Sequence, residues 1–252
     1  MSDIERWKGK IALVTGASSG IGDTLARELA RLGMKVAVTA RRKERLDALV
    51  DEMKKEGCEM LALAGDMRKE EDILSFFSAI HDAWGTVDVL VNNAGMGMMS
   101  TLENGKTEEW RETLDVNVLA VSIGMREALK DMEGKEDAQI INISTIYAYR
   151  PQVPNFPYYQ ASKFAVQAMS GTLRAELHAK GSKARVAMIS PGMTATEFRG
   201  RASGGKLVYD DYFKDFHPLL PQDVAQAALY ILATPSYVQV HDVQLSPMGQ
   251  GL

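Results

Sequence analysis

The stretch KIALVTGASSGIG, Lys10 to Gly22, narrows the choice of fold more than any other part of the chain. An apolar run of strand length passes directly into a glycine turn. An amphipathic segment, Asp23 to Leu32, follows and is closed by Gly33. That order reads as strand, glycine turn, helix and terminating glycine. The glycines fall at Gly16, Gly20 and Gly22, a G-x-x-x-G-x-G spacing. Glycine permits a tight turn there, and it lets a pyrophosphate approach amides at a helix N-terminus, where the dipole favours negative charge.

The rest of the chain repeats the alternation. Apolar runs at 35–40, 59–65, 87–92, 139–144, 185–190 and 238–245 predict further strands. Helical segments are expected at about 43–56, 70–84, 107–132, 158–179 and 221–233, the third with Thr107 as its N-cap. Strands alternating with helices imply parallel pairing through right-handed crossovers, with helices on both faces of one doubly wound sheet. No linker, internal repeat or low-complexity run divides residues 1–252, which predicts a single domain.

Composition excludes several function classes. Apolar residues make up 46% and charged residues 25%, an ordinary globular balance. A net charge of -4 argues against an electrostatic nucleic-acid partner. The single Cys58 rules out an intramolecular disulfide and a cysteine-based metal site, and the four histidines lack ligand spacing, so no metal is expected. The N-terminus has no apolar leader and no apolar run is long enough to span a bilayer, which predicts a cytoplasmic protein with no membrane span.

Residues Ser144 to Lys163 hold the constellation that reads as chemistry. Tyr159 and Lys163 are four residues apart, on one face of the predicted helix. An ammonium beside a phenol favours phenolate, so Lys163 is expected to lower the Tyr159 pKa. Ser144 closes the strand 139–144, at the carboxyl end where open α/β sheets bind ligands. Strand alternation places Thr145 on the opposite face and makes it the weaker candidate. Tyr158 is excluded because its i+4 residue is Ser162.

The end of the second strand selects the dinucleotide. An acidic residue there would take the ribose hydroxyls of NAD, but the sequence reads Thr39-Ala40-Arg41-Arg42, which suits the 2′-phosphate of NADP. Two long loops remain. Residues 150–157 carry Pro151, Pro154 and Pro157 and predict a stiff loop over the helix start. Residues 193–217, with Tyr209, Tyr212, Phe213 and Phe216, form a candidate substrate lid.

Together, ThrGlyAlaSerSerGlyIleGly at 15–22, Asp66, AsnAsnAlaGly at 92–95, Asn117, Ser144, Tyr159-x-x-x-Lys163 and Pro191-Gly192 resemble the classical short-chain dehydrogenase/reductase family over nearly the whole chain. Residues 6–7, 70–80, 117–123 and the ending ValHisAspValGlnLeuSerPro are most similar to the branch with dehydrogenase/reductase member 11 and the insect farnesol dehydrogenases. The resemblance implies a Rossmann fold, with a seven-stranded, mostly parallel sheet in the order 3-2-1-4-5-6-7.

It also implies roles. Tyr159 would be the general acid/base, Ser144 would bind the substrate oxygen, Lys163 the nicotinamide ribose, and Asn117 a water of the proton relay. Gly16, Ser18, Ser19, Gly20, Ile21 and Gly22 would face the pyrophosphate and adenosine side. Asp66 and Met67 would meet the adenine, Asn93, Ala94 and Gly95 the adenosine and ribose, and Pro191, Gly192, Met193 and Thr194 the nicotinamide. The expected activity is NADP(H)-dependent hydride transfer to or from a ketone, aldehyde or secondary alcohol, by a homodimer or homotetramer. A 3-hydroxy acid is the alternative substrate, with Arg150, Arg199 and Arg201 as candidate carboxylate partners. A silent NADP-binding sensor or scaffold is the reading from another class. The Ser144 to Tyr159 separation of 15 residues exceeds the commonest family spacing.

Overall fold

The computed structural model describes residues 3–150, 153–205, 213 and 215–250. At its centre are β1 (Ile11–Thr15), β2 (Lys35–Ala40), β3 (Met60–Ala64), β4 (Val89–Asn92), β5 (Gln139–Ile143), β6 (Arg185–Pro191) and β7 (Asp242–Leu245). They form one sheet in the order β3-β2-β1-β4-β5-β6-β7, and every pairing is parallel. Sequence order reverses direction between β1 and β4, the switch point at which such sheets bind ligands.

Alternation along the strands divides the interior into two cores. Ala12, Val14, Val89 and Val91 pack on one face, with α1 (Gly20–Arg31), α2 (Lys43–Lys55) and α8 (Pro221–Ala233). Leu13 and Leu90 point the other way, toward α3 (Glu70–Ala83), α5 (Ala120–Asp131) and α6 (Pro157–Ala179). Each such side chain contributes roughly 1.5–3 kcal/mol on full burial. The N-terminal 3-10 turn Asp3–Trp7 is fastened to α8, where the fully buried Trp7 indole donates to the Leu232 carbonyl at 2.8 Å.

Three sequence expectations are corrected. The segment 107–132 is not one α-helix: α4 (Thr107–Leu114) passes through a π-helical turn, Asp115–Leu119, into α5. The N-cap of α4 is Lys106 rather than Thr107, which is already helical. The last strand starts at Asp242 instead of 238, because the Gln239 carboxamide itself bonds Val186, accepting from its N–H at 3.3 Å and donating to its carbonyl at 2.9 Å. A side chain thus substitutes for backbone pairing.

Candidate active site

The carboxyl ends of the central strands open into a cavity of about 460 Å³. One end is built on the glycine turn between β1 and α1. Gly16 and Gly20 have φ of 71° and 61°, in the left-handed region. A Cβ on Gly16 would lie 2.7 Å from Ala94 Cα, and one on Gly22 would lie 2.3 Å from Asn93 Nδ2. The Asn93 amide explains this crowding: it donates to the Thr15 carbonyl at 2.8 Å and the Gly16 carbonyl at 3.2 Å. The Thr15 hydroxyl accepts from the Asn93 and Ala94 N–H groups, each at 3.0 Å. The two turns are therefore locked together before any ligand arrives.

Gly16, Ser18, Ser19, Gly20 and Ile21 line the cavity. Gly22 is not on its wall: it packs beneath, against Asn93 and Gly16. Asp66, Met67, Asn93, Ala94, Gly95, Pro191, Gly192, Met193 and Thr194 all reach the wall, as do Arg41 and Arg42. The Asp66 carboxylate is paired with Arg68 at 2.6 Å, which holds it below the usual carboxylate range. Arg42 points its guanidinium at the glycine turn, donating from Nη2 to Ser18 Oγ at 2.7 Å and Ser19 Oγ at 2.9 Å. Burial, then the charge of Arg201, lowers the Arg42 pKa.

At the other end α6 presents Tyr159 and Lys163. Pro157 opens this helix, a position where the missing N–H costs nothing. Tyr158 turns away and stacks on Trp110 of α4, ring centres 4.4 Å apart, which leaves Tyr159 as the tyrosine that α6 presents to the cavity wall. Its ring sits between Phe156 at 5.6 Å and Phe198 at 5.1 Å. Phe198 begins α7 (Phe198–Ala202), in the segment expected to act as a lid. Phe198, Ala202 and Phe213 line the cavity, whereas Tyr209, Tyr212 and Pro151 lie outside the described residues.

The buried Lys163 ammonium donates to the Ile143 carbonyl at 2.8 Å and lies 5.9 Å from the Tyr159 ring centre. Burial lowers its pKa to about 8. Burial also pushes the Tyr159 phenol up to about 12, opposed by the Thr145 hydroxyl and the charge of Arg199. Desolvation is the largest cause for both groups.

The hydroxyl pair after β5 corrects the expectation that Thr145 lies on the opposite face. Both Ser144 and Thr145 reach the cavity, and it is Thr145 that faces the Tyr159 phenol. β5 ends at Ile143, so strand alternation no longer applies at residue 145, which instead caps the 3-10 turn Ile146–Ala148 and donates to the Pro191 carbonyl at 3.2 Å. Ser144 Oγ is buried without a hydrogen-bond partner among the described residues. From Thr145 to Tyr159 the separation is 14 residues, one nearer the commonest family spacing.

Asn117 lies in the π-helical turn, fully buried. Its side chain accepts from the Met96 N–H at 2.9 Å and donates to the Met96 carbonyl at 2.7 Å and Ser162 Oγ at 2.9 Å. Such turns within α-helices are frequent at functional sites. Gln250 was not foreseen. Its carboxamide accepts from the Met193 N–H at 2.9 Å and donates to the Tyr147 hydroxyl at 2.7 Å, clamping the cavity wall from the C-terminal end. A polar residue after the last strand carries no periodic signal by which the sequence could reveal this.

Comparisons with known proteins agree with this geometry. The short chain dehydrogenase family matches residues 10–206. Dehydrogenase/reductase SDR family member 11 from Bos taurus is 40% identical over 258 residues, spanning 98% of this chain and 99% of the relative. The farnesol dehydrogenase of Aedes aegypti is 38% identical over 254 residues, with 98% and 99% covered. Among solved structures, the closed form of a serine dehydrogenase complexed with NADP+ superposes with a TM-score of 0.88 at 30% identity, over 96% of each chain. An alcohol dehydrogenase from Thermococcus sibiricus complexed with 5-hydroxy-NADP gives 0.84 at 30% identity, covering 96% and 98%. A parallel sheet in this order, the interlocked glycine turn and a family match over most of its length place the chain in the short-chain dehydrogenase/reductase family, in the branch of dehydrogenase/reductase member 11 and farnesol dehydrogenase.

Proposed function

We propose that the protein is an NADP(H)-dependent oxidoreductase that interconverts a ketone or aldehyde with its alcohol. The observation that carries this reading is one cavity with Arg42 beside the glycine turn at one end and Tyr159, Thr145 and Lys163 at the other. The cradle fits the cofactor: Gly16 and Gly20 leave backbone uncovered, and Arg41, Arg42, Ser18 and Ser19 supply donors for a 2′-phosphate. Two solved relatives carry NADP+ or an NADP derivative, in line with that choice. When bound, NADPH supplies the hydride.

The chain's own groups supply the proton and the orientation. A phenol held at about 12 is protonated at neutral pH, the form that a proton donor to a nascent alkoxide requires. Thr145, whose hydroxyl faces that phenol, is one candidate for the substrate oxygen, and Ser144, whose hydroxyl has no partner among the described residues, is the second. Lys163 would hold the nicotinamide ribose, and Asn117, fixed by Met96 and Ser162, would keep the π-helical turn in place for a proton-relay water. Met96, Met98, Val153, Phe156 and Phe213 make the substrate side largely apolar, which favours an uncharged carbonyl.

Arg199 supports the second reading, a 3-hydroxy acid, because its charge reaches Tyr159 from the same wall. The Arg150 candidacy is withdrawn, since that residue is exposed and off the wall. Activity retained in Arg199→Ala on hydroxy acids would remove that reading. NADPH oxidation with a carbonyl panel, lost in Tyr159→Phe, tests the main one. The remaining parts of the proposal are a single domain over 1–252, a lid over 193–217 and a homo-oligomer.

A further inference from the structure

Glu197 stands between β6 and α7 and reaches across to α2, more than 150 residues earlier in sequence. Three guanidinium groups converge on its carboxylate. Oε1 accepts from Arg45 Nη1 at 2.8 Å, and Oε2 accepts from Arg42 Nη1 at 3.3 Å and from Arg201 Nη2. The rest of the Arg42 fork is on Ser18 and Ser19 of the glycine turn. Ser18, Ser19, Arg42, Glu197 and Arg201 share the cavity wall.

We propose that Glu197 is a specificity-determining residue that occupies the position of the cofactor's 2′-phosphate, as an internal competitor for Arg42 and Arg45. This inference rests on the NADP reading of the site and deepens it. Carboxylate and phosphate are the two anions that match a guanidinium fork, so one replaces the other on the same donors. Three cations around one anion leave two positive charges over, and this excess selects a dianionic phosphate over a ribose hydroxyl. Arg45, Glu197 and Arg201 are 46%, 46% and 50% exposed in their side chains, so the carboxylate can swing into solvent when displaced. These arginines hold the Glu197 pKa at about 2, so it stays ionised and keeps competing throughout the neutral range.

The test uses 2′,5′-ADP and 5′-AMP as probes in calorimetric titrations of the full chain. Wild type should bind 2′,5′-ADP more tightly than 5′-AMP. Glu197→Gln should then bind 2′,5′-ADP about three- to fivefold more tightly, the scale of an exposed ion pair, with 5′-AMP unchanged. Glu197→Ala should repeat the gain, which separates loss of the charge from any effect of the new amide. Unchanged or weaker binding of 2′,5′-ADP, or an equal gain for both probes, would overturn the competitor role. Absence of a preference in wild type would instead overturn the NADP reading, and the competitor with it.

Discussion

The Thr145 hydroxyl faces the Tyr159 phenol and favours its ionised form, although the two residues are placed by different elements, the end of β5 and the first turn of α6. Substitution separates this hydroxyl from its neighbour. Thr145→Val should lower kcat by about 10²-fold, the loss typical of one hydrogen-bond donor at a reacting oxygen. Thr145→Ser should keep most of the activity. Ser144→Ala should cost less than about tenfold on the same scale. Steady-state kinetics with the best substrate decide the order, and a larger loss at Ser144 would return the role to that residue.

Lys163 predicts a conflict between stability and function. Its folded pKa is depressed by burial to about 8, below the ~10.4 of an exposed lysine. The unfolded chain therefore binds more protons between those two values, and stability should rise with pH across that window. Below it the buried charge costs up to about 3 kcal/mol. Lys163→Met should flatten the rise and be more stable than wild type at pH 7, while losing activity. Urea unfolding at pH 7, 8, 9 and 10 measures both curves.

Tyr159 has the opposite sign. Its pKa is raised by burial to about 12, so the folded state keeps a proton that an unfolded tyrosine releases near ~10. That contribution is complete below pH ~10 and is lost as pH rises through the folded value. Tyr159→Phe should lose less stability than wild type above pH ~10, measured by the same unfolding series.

Much of this was legible in the sequence, for a physical reason. Parallel pairing in a doubly wound sheet follows from alternation and crossover handedness, and the Tyr159 and Lys163 pair follows from helical spacing; both are local rules, whereas the strand order came from the family resemblance. The features that escaped depend on contacts between distant segments. Glu197 meets Arg42 across 155 positions and Gln250 meets Tyr147 across 103. The π-helical turn at Asp115–Leu119 leaves the apolar repeat of its helix nearly intact, so periodicity reads straight through it. Thr145 was assigned to the wrong side because a period-two rule was carried past the last strand residue, Ile143.

Gly22 tests the interlocked turns. A Cβ there would lie 2.3 Å from Asn93 Nδ2 and 2.6 Å from the Gly16 carbonyl, so neither turn can stay in place. Gly22→Ala should destabilise by about 1–3 kcal/mol and weaken cofactor binding together with it. Chemical denaturation and a nucleotide titration on the same sample check both, and unchanged stability would show that the turns are not coupled.

Leu119 and Phe164 are 53% and 36% exposed where the π-helical turn packs on α6, an apolar surface suited to a second copy. Light scattering at working concentration should give the mass of two or four chains. Leu119→Glu should lower it toward one chain, and a monomeric wild type would remove the homo-oligomer from the account.

NADPH oxidation with aliphatic, aromatic, terpenoid and steroid carbonyls, run in parallel with NADH and with Tyr159→Phe, tests the central claim most directly. The account predicts turnover of at least one uncharged carbonyl with NADPH in clear preference to NADH, reduced about 10²–10⁴-fold in the variant. Tight NADPH binding with no turnover of any carbonyl, and none of the matching alcohols or hydroxy acids in reverse, would contradict it and leave a nucleotide-binding sensor.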